Sequence, residues 1–226
     1  MNRAAILTLE NITFAYTERP TLFRDLDFSL HENEHIGLHG PNGSGKTTLL
    51  RLIMGLETPQ SGRILYRGEL VDSGAALHKM RCGVGLVMQN SDDQLFSATV
   101  LEDVAFGPLN LGLKRQEARD RAMETLEKME LQPLADRATH RLSVGEKKMV
   151  SIASVLSMQP HALLLDEPTA SLDDDARSRI IAILQRETIA RIIVSHDKDF
   201  LKQTASSFIR INRSGSIEAV PPTFPQ

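Results

Sequence analysis

Eight consecutive residues, Gly40-Pro41-Asn42-Gly43-Ser44-Gly45-Lys46-Thr47, fit the spacing G-x-x-x-x-G-K-[ST]. Glycines so placed let backbone N–H groups converge on phosphate oxygens. A helix starting at the end of the run adds the positive end of its dipole. Lys46 is spaced to reach the β- and γ-phosphates of a nucleoside triphosphate, and the Thr47 hydroxyl to hold Mg²⁺, with Thr48 beside it. The plain alternative is a glycine-rich turn with a stray lysine. The strand-like residues before the run and the helix-like residues after it argue for the phosphate cradle.

A second run, Leu163-Leu164-Leu165, ends in Asp166-Glu167. A carboxylate at the carboxyl end of a parallel strand faces the crevice where α/β sheets bind ligands. Asp166 is expected to complete the Mg²⁺ shell, through water. Glu167 is placed to orient or polarise an attacking water. Without the glycine-rich run upstream, the pair would read equally well as two solvated carboxylates in a turn before Pro168.

Leu142-Ser143-Val144-Gly145-Glu146 resembles the LSGGQ signature of ABC ATPases and precedes the acidic run by about twenty residues, as in that family. The resemblance extends over about residues 6–212. It implies that Ser143, Val144, Gly145 and Glu146 meet the γ-phosphate of a nucleotide held by an opposite subunit, so that two ATPs are sandwiched between two chains. Ser171-Leu172-Asp173 is similar to the D-loop, which implies that Asp173 also reaches the opposite subunit's ATP. Gln89 resembles the Q-loop glutamine, which links Mg²⁺ or water to a membrane partner, and His196 resembles the switch histidine near the γ-phosphate. Tyr16 lies at about the family distance for stacking on adenine. The motif departs from the family at Val144, usually glycine, and at Glu146, more commonly glutamine. Valine resists positive φ, so it fits only where that residue is helical. Read by itself, Leu-Ser-x-Gly-Glu is also a capping pattern, with Ser143 just before a helix.

Residues 90–100 and 102–108, together with Gly145-Glu146-Lys147-Lys148, look like the ATPases of energy-coupling-factor importers, in particular the cobalt/nickel branch. That resemblance implies hydrolysis of ATP with Mg²⁺ as cofactor and a peripheral place on the cytoplasmic face of a membrane. It implies a transmembrane coupling subunit and a substrate-binding membrane subunit as partners, and either a homodimer or a heterodimer with a second ABC ATPase. Asp92 to Phe96 would dock the membrane partner through Leu95 and Phe96; the alternative is burial of Phe96 among helices. Related importers carry biotin or other vitamins. ABC ATPases acting on DNA or ribosomes usually carry long coiled coils or two linked cassettes, and neither is visible. A simple phosphate-loop kinase would need neither the signature nor the distal Ser195-His196.

The elements that must position these residues follow from hydrophobic period. Alternation marks strands over Ile6–Tyr16 and at Leu26, Phe28 and Leu30, with short strands at 35–39, 62–66, 84–88, 162–165 and 191–195. Helical spacing marks 47–54, 116–129, 144–158 and 174–186, and a segment 101–111 that Gly107-Pro108 interrupts. Residues 207–220 read as a hairpin turning at Ser214-Gly215, followed by a proline-rich tail. The fold class expected is α/β: a phosphate-loop NTPase core of the ABC ATPase kind, with an N-terminal antiparallel β region and an inserted helical lobe. It would form one domain over 1–226, the core about 1–89 and 160–220 and the lobe about 90–159.

The chain of 226 residues is 41% hydrophobic and 24% charged with a formal net charge of −3, which opposes a general nucleic-acid binder. One cysteine, Cys82, excludes an intrachain disulfide. No apolar run approaches the ~20 residues that cross a bilayer, and the first residues do not read as a signal peptide. His31, His35 and His39 would share a face on a helix, but 35–39 reads as a strand, which sets His35 and His39 about 13 Å apart. One ion cannot bridge that span, so a site for transported metal is not expected there.

Overall fold

The computed structural model describes residues 4–221; the expected tail from Pro222 onward lies outside the described residues. Near the N-terminus, β1 (Ala5–Phe14) pairs antiparallel with β2 (Phe23–His31). The chain then enters β3 (His35–His39), turns through the glycine-rich run and starts α1 (Lys46–Ile53). Next come β4 (Ser61–Tyr66), which also pairs antiparallel with β1, and the two-residue β5 (Glu69–Leu70). Helix α2 (Gly74–Gly83) leads directly into β6 (Val84–Val87). Three helices follow: α3 (Val100–Asn110), α4 (Arg115–Lys128) and α5 (Val144–Leu156). The chain returns through β7 (Ala162–Asp166), α6 (Asp174–Arg186), β8 (Ala190–Val194) and α7 (Lys198–Thr204). It closes with β9 (Ser207–Ile211) and β10 (Ile217–Val220).

These strands form two sheets. The first has the order β2-β1-β4-β5 and is antiparallel; the second has the order β10-β9-β3-β8-β7-β6 and is parallel apart from β10. Every residue of β7 and β8 is buried, as continuous apolar runs in a parallel sheet require. Alternation then divides their side chains. Ala162 and Leu164 join a core shared with β1, β2, β4 and α1, while Leu163 and Leu165 join a core shared with α3, α5 and α6. The helical segment is thus seated on one face of the sheet and the antiparallel strands on the other, in the mixed α/β arrangement expected.

One expected feature is corrected. Gly107-Pro108 does not interrupt α3, which runs unbroken from Val100 to Asn110 with Pro108 inside it. Proline lacks the N–H that would bond the carbonyl four residues back, that of Val104. Ser157, just past α5, supplies the missing donor: its hydroxyl bonds Val104 O at 2.8 Å. Gly107 permits the approach, since a Cβ there would lie 2.5 Å from Met158 Cγ. Helices α2 and α7 had not been anticipated. In α2 only Met80 and Gly83 are buried, so it carries almost no apolar stripe, and α7 has seven residues.

Candidate functional site

The carboxyl ends of β3, β6, β7 and β8 lie along one edge of the parallel sheet, where α/β sheets open a crevice. A cleft of about 940 Å³ occupies that edge. Its lining includes Tyr16, Asn42, Gly43, Gly45, Lys46, Thr47, Thr48, Gln89, Asp166, Glu167 and His196. Ten further residues line it, among them Arg19, Thr169, Ser195, Asp197 and Arg213.

The glycine-rich run wraps the start of α1. Gly45 precedes that helix at φ 103°, a left-handed conformation open to glycine, and a Cβ there would meet the Phe23 ring at 2.7 Å. Gly40, Pro41 and Ser44 are not among the lining residues, and Ser44 is buried. Lys46 is buried and folds back on it, Nζ donating to Gly40 O at 2.9 Å and Pro41 O at 3.1 Å. Burial pushes its pKa down, while Glu167 and Asp166 pull it up. Tyr16 is half-buried; its hydroxyl lies 3.1 Å from Thr48 Oγ1 and its ring packs edge-on against Phe14.

Asp166 ends β7 and is buried, and burial raises its pKa against the opposing hydrogen bond from Thr47 and the charges of Lys46 and Lys148. Its Oδ1 is buried without a hydrogen-bond partner among the described residues. Glu167 follows with φ 46°, a costly left-handed conformation for this residue type, locked by its N–H bond to Val194 O at 2.9 Å. Burial raises the Glu167 pKa, opposed by the backbone N–H of His196, which reaches Glu167 Oε2 at 3.3 Å. His196 Nε2 lies 3.5 Å from Glu167 Oε1. A half-buried carboxylate of raised pKa beside an exposed imidazole is a suitable proton acceptor in a phosphate pocket.

The signature-like residues do not line this cleft. Ser143 caps α5, its Oγ accepting from Glu146 N at 3.2 Å while Glu146 Oε2 accepts from Ser143 N at 2.7 Å. Glu146 Oε1 also meets Arg137 Nη1 at 3.2 Å. Val144 opens the helix and is 60% exposed, so its bulk meets no backbone strain. Asp173 caps α6 by accepting from Ala176 N at 2.8 Å. The cleft and the signature-like helix start are therefore separate surfaces of one chain.

Among the histidines, His31 ends β2 and bonds Glu34 at 3.2 Å, and His35 and His39 occupy opposite ends of β3. His35 Nδ1 lies 3.0 Å from Arg191 Nη2.

Some residues of the site escaped sequence reasoning. Lys148 is 2% exposed and donates to Met88 O at 2.8 Å and Gln89 O at 2.7 Å. Burial pushes its pKa to about 8, with Asp166 pulling it up. The available signal was position: Lys148 lies one helical turn before Ile152, on the apolar face of α5. Arg177 Nε bonds Asp197 Oδ2 at 2.7 Å and joins α6 to the residue after His196. No sequence pattern marked that long-range pair.

Comparisons with known proteins identify the family and the fold. The sequence model of the family described as ABC transporter matches residues 23–170. The chain is 42% identical over 218 residues to the energy-coupling factor transporter ATP-binding protein EcfA of Methanothermobacter thermautotrophicus, covering 95% of this chain and 70% of that one. It is 41% identical over 218 residues to the cobalt import ATP-binding protein CbiO of Rhodobacter capsulatus, covering 95% and 78%. Among solved structures, cbiO1 of Clostridium perfringens, described as part of the transporter complex cbiONQ, superimposes with a TM-score of 0.84 at 35% identity, covering 95% and 87%. The ATP-binding cassette MJ0796, a dimer bound to ADP and Pi in a post-hydrolysis state, gives 0.85 at 25% identity, covering 96% and 99%. Among the described residues no helix is long and apolar enough to cross a membrane.

Proposed function

Since this chain belongs to the ABC transporter family and is an ATPase of the ABC type, we propose that it is the ATP-hydrolysing motor of an energy-coupling-factor importer, with cobalt or nickel ions as cargo. The cargo reading rests on likeness to the cobalt import protein CbiO. The observation that carries the motor reading is the division of the chain into two surfaces. Lys46, Asp166, Glu167 and His196 share one cleft, while Ser143 to Glu146 stand outside it. On this reading a second copy or a second ABC ATPase would complete the site; the similar cassette MJ0796 is a dimer bound to ADP and Pi.

The residues present fit Mg²⁺. Thr47 stands beside the Asp166 carboxylate and opposes the rise in its pKa, and Asp166 Oδ1 is a buried oxygen left short of a partner among the described residues; hard oxygen donors of that kind suit this ion. Thr47, Asp166 and Gln89 would hold it, and there it would neutralise charge on the phosphate oxygens. Lys46 would exchange the carbonyls of Gly40 and Pro41 for phosphate oxygens. Gly40 to Gly45 would offer backbone N–H groups to the same phosphates. Tyr16 would give its ring to adenine. Glu167 would take the proton of the attacking water, its raised pKa making it the stronger base. His196 would keep Glu167 oriented and meet the γ-phosphate.

Phe96 is 67% exposed and stacks edge-on with Phe106, itself 44% exposed, at 4.8 Å. Asp103 holds the loop beneath them, accepting from Phe96 N at 3.2 Å and Ser97 N at 3.1 Å. This supports a docking place for the transmembrane coupling subunit, with a substrate-binding membrane subunit beyond it and this chain on the cytoplasmic face. The test is expression with the neighbouring membrane subunits and recovery in detergent. Co-purification with ATPase activity and metal uptake supports the proposal; a chain recovered alone and strictly monomeric with saturating Mg-ATP rejects it.

A further inference from the structure

Two lysines are buried among the described residues. Lys46 has its place in the glycine-rich loop; Lys148 has none in the scheme above. Taking an ammonium out of water is costly unless it is well hydrogen-bonded, so a lysine that is 2% exposed calls for partners. Its partners are two consecutive backbone carbonyls, Met88 O at 2.8 Å and Gln89 O at 2.7 Å. Both belong to the segment leaving β6, where the chain turns out of the sheet and no strand neighbour satisfies its carbonyls. With both carbonyls drawn inward, the Gln89 side chain is exposed and lines the cleft.

Two further ties join α5 to the same segment. Gln94 accepts from Met88 N at 3.1 Å and donates to Ser151 O at 2.9 Å and Ser154 Oγ at 3.1 Å. Lys147 Nζ reaches Asp92 Oδ1 at 2.6 Å, but Asp92 is well exposed and such a pair holds little. The helix making these ties is the one that Ser143 caps. It therefore joins Gln89 in this chain's cleft to the residues facing the opposite nucleotide.

We propose that Lys148 is a positioning residue for hydrolysis: by clamping the carbonyls of Met88 and Gln89 it holds the Gln89 side chain in the cleft and fastens that segment to α5. The inference rests on the site reading of Gln89 given above. It assigns Lys148 no contact with nucleotide, water or metal.

The test is a double-mutant cycle of Lys148→Met and Gln89→Ala in the full-length protein, read as steady-state phosphate release and as binding of a fluorescent ATP analogue. Methionine keeps length and volume but donates no hydrogen bond. Lys148→Met should lower kcat roughly 10-fold with nucleotide affinity within about 3-fold, since a displaced positioning group costs turnover more than binding. In the Gln89→Ala background the same change should lower kcat by less than about 2-fold, because the side chain it positions is gone. Losses that multiply in the double variant would reduce Lys148 to a structural filler and overturn the proposal. Wild-type hydrolysis by Gln89→Ala alone would instead overturn the reading of Gln89, a different failure. Where Lys148→Met does not fold, Lys148→Gln replaces it: its amide still donates, so a smaller loss that vanishes with Gln89→Ala supports the clamp, and a loss that persists rejects it.

Discussion

Glu167 combines three properties: a carboxylate half-buried beside Asp166, a pKa raised by that burial, and a left-handed backbone that fixes where it points. Glu167→Gln keeps the shape and removes the base. Turnover should fall by roughly 10²–10⁴-fold in a phosphate-release assay while ATP binding persists, and the ATP-bound form should accumulate as a dimer by size measurement. Lys46→Ala should behave differently: the loop loses the cation that meets the phosphates, so binding of a fluorescent nucleotide itself should disappear. Asp197, which lines the cleft beside His196, offers a stability test. Arg177 holds its carboxyl below the usual carboxylate range. A depressed folded value contributes stability above the ordinary range, and that contribution is lost as pH falls through the depressed value. Asp197→Asn should therefore cost about 1 kcal/mol at pH 7 for this partly exposed pair. The gap from wild type in urea unfolding should close as the pH falls through and below the ordinary carboxylate range.

At the scale of elements, α3 carries the clearest prediction. Ser157→Ala removes the hydroxyl that donates to Val104 O, the carbonyl that Pro108 leaves without its usual helical donor. It should cost about 1–3 kcal/mol, a fall in Tm of about 2–4 °C for each kcal/mol at this chain length. The same helix shows where sequence reading ends. Gly107-Pro108 carries the local rule for a break, and the rule is overridden by the Ser157 hydroxyl, 53 residues from the carbonyl it bonds, which no periodicity links to it. The glycine-rich loop, Asp166-Glu167 and His196 were legible because each is a short pattern at the end of an apolar strand, and the sheet brings those ends together without further help. Helix α2 was hidden because it buries so little. Lys148 was hidden because a charge inside an apolar stripe reads as a solvated face until its two carbonyls are seen. The valine at 144, an obstacle on paper, sits in ordinary helical backbone and faces outward.

At the scale of the whole molecule, the exposed rings of Phe96 and Phe106 predict separation of coupling from catalysis. Neither is among the residues that line the cleft: Phe96 sits in a loop held by Asp103, and Phe106 sits in α3. Phe96→Ala should leave basal ATP hydrolysis within about twofold and Tm nearly unchanged, while transport by the complex with its membrane subunits falls sharply. A large drop in Tm would mean instead that the ring supports the helices. The distance between cleft and signature-like helix start also has a kinetic consequence. On the proposed reading each chain carries one half of two different sites, so hydrolysis by dilute free chains is second order in protein, and specific activity climbs with concentration until dimers saturate. Fastening two chains to one scaffold replaces that dependence with a fixed local concentration set by the geometry of the tether. A membrane partner would then act as a switch by mass action alone: a lone chain in dilute solution would hold its nucleotide largely unspent, and assembly would start the hydrolysis.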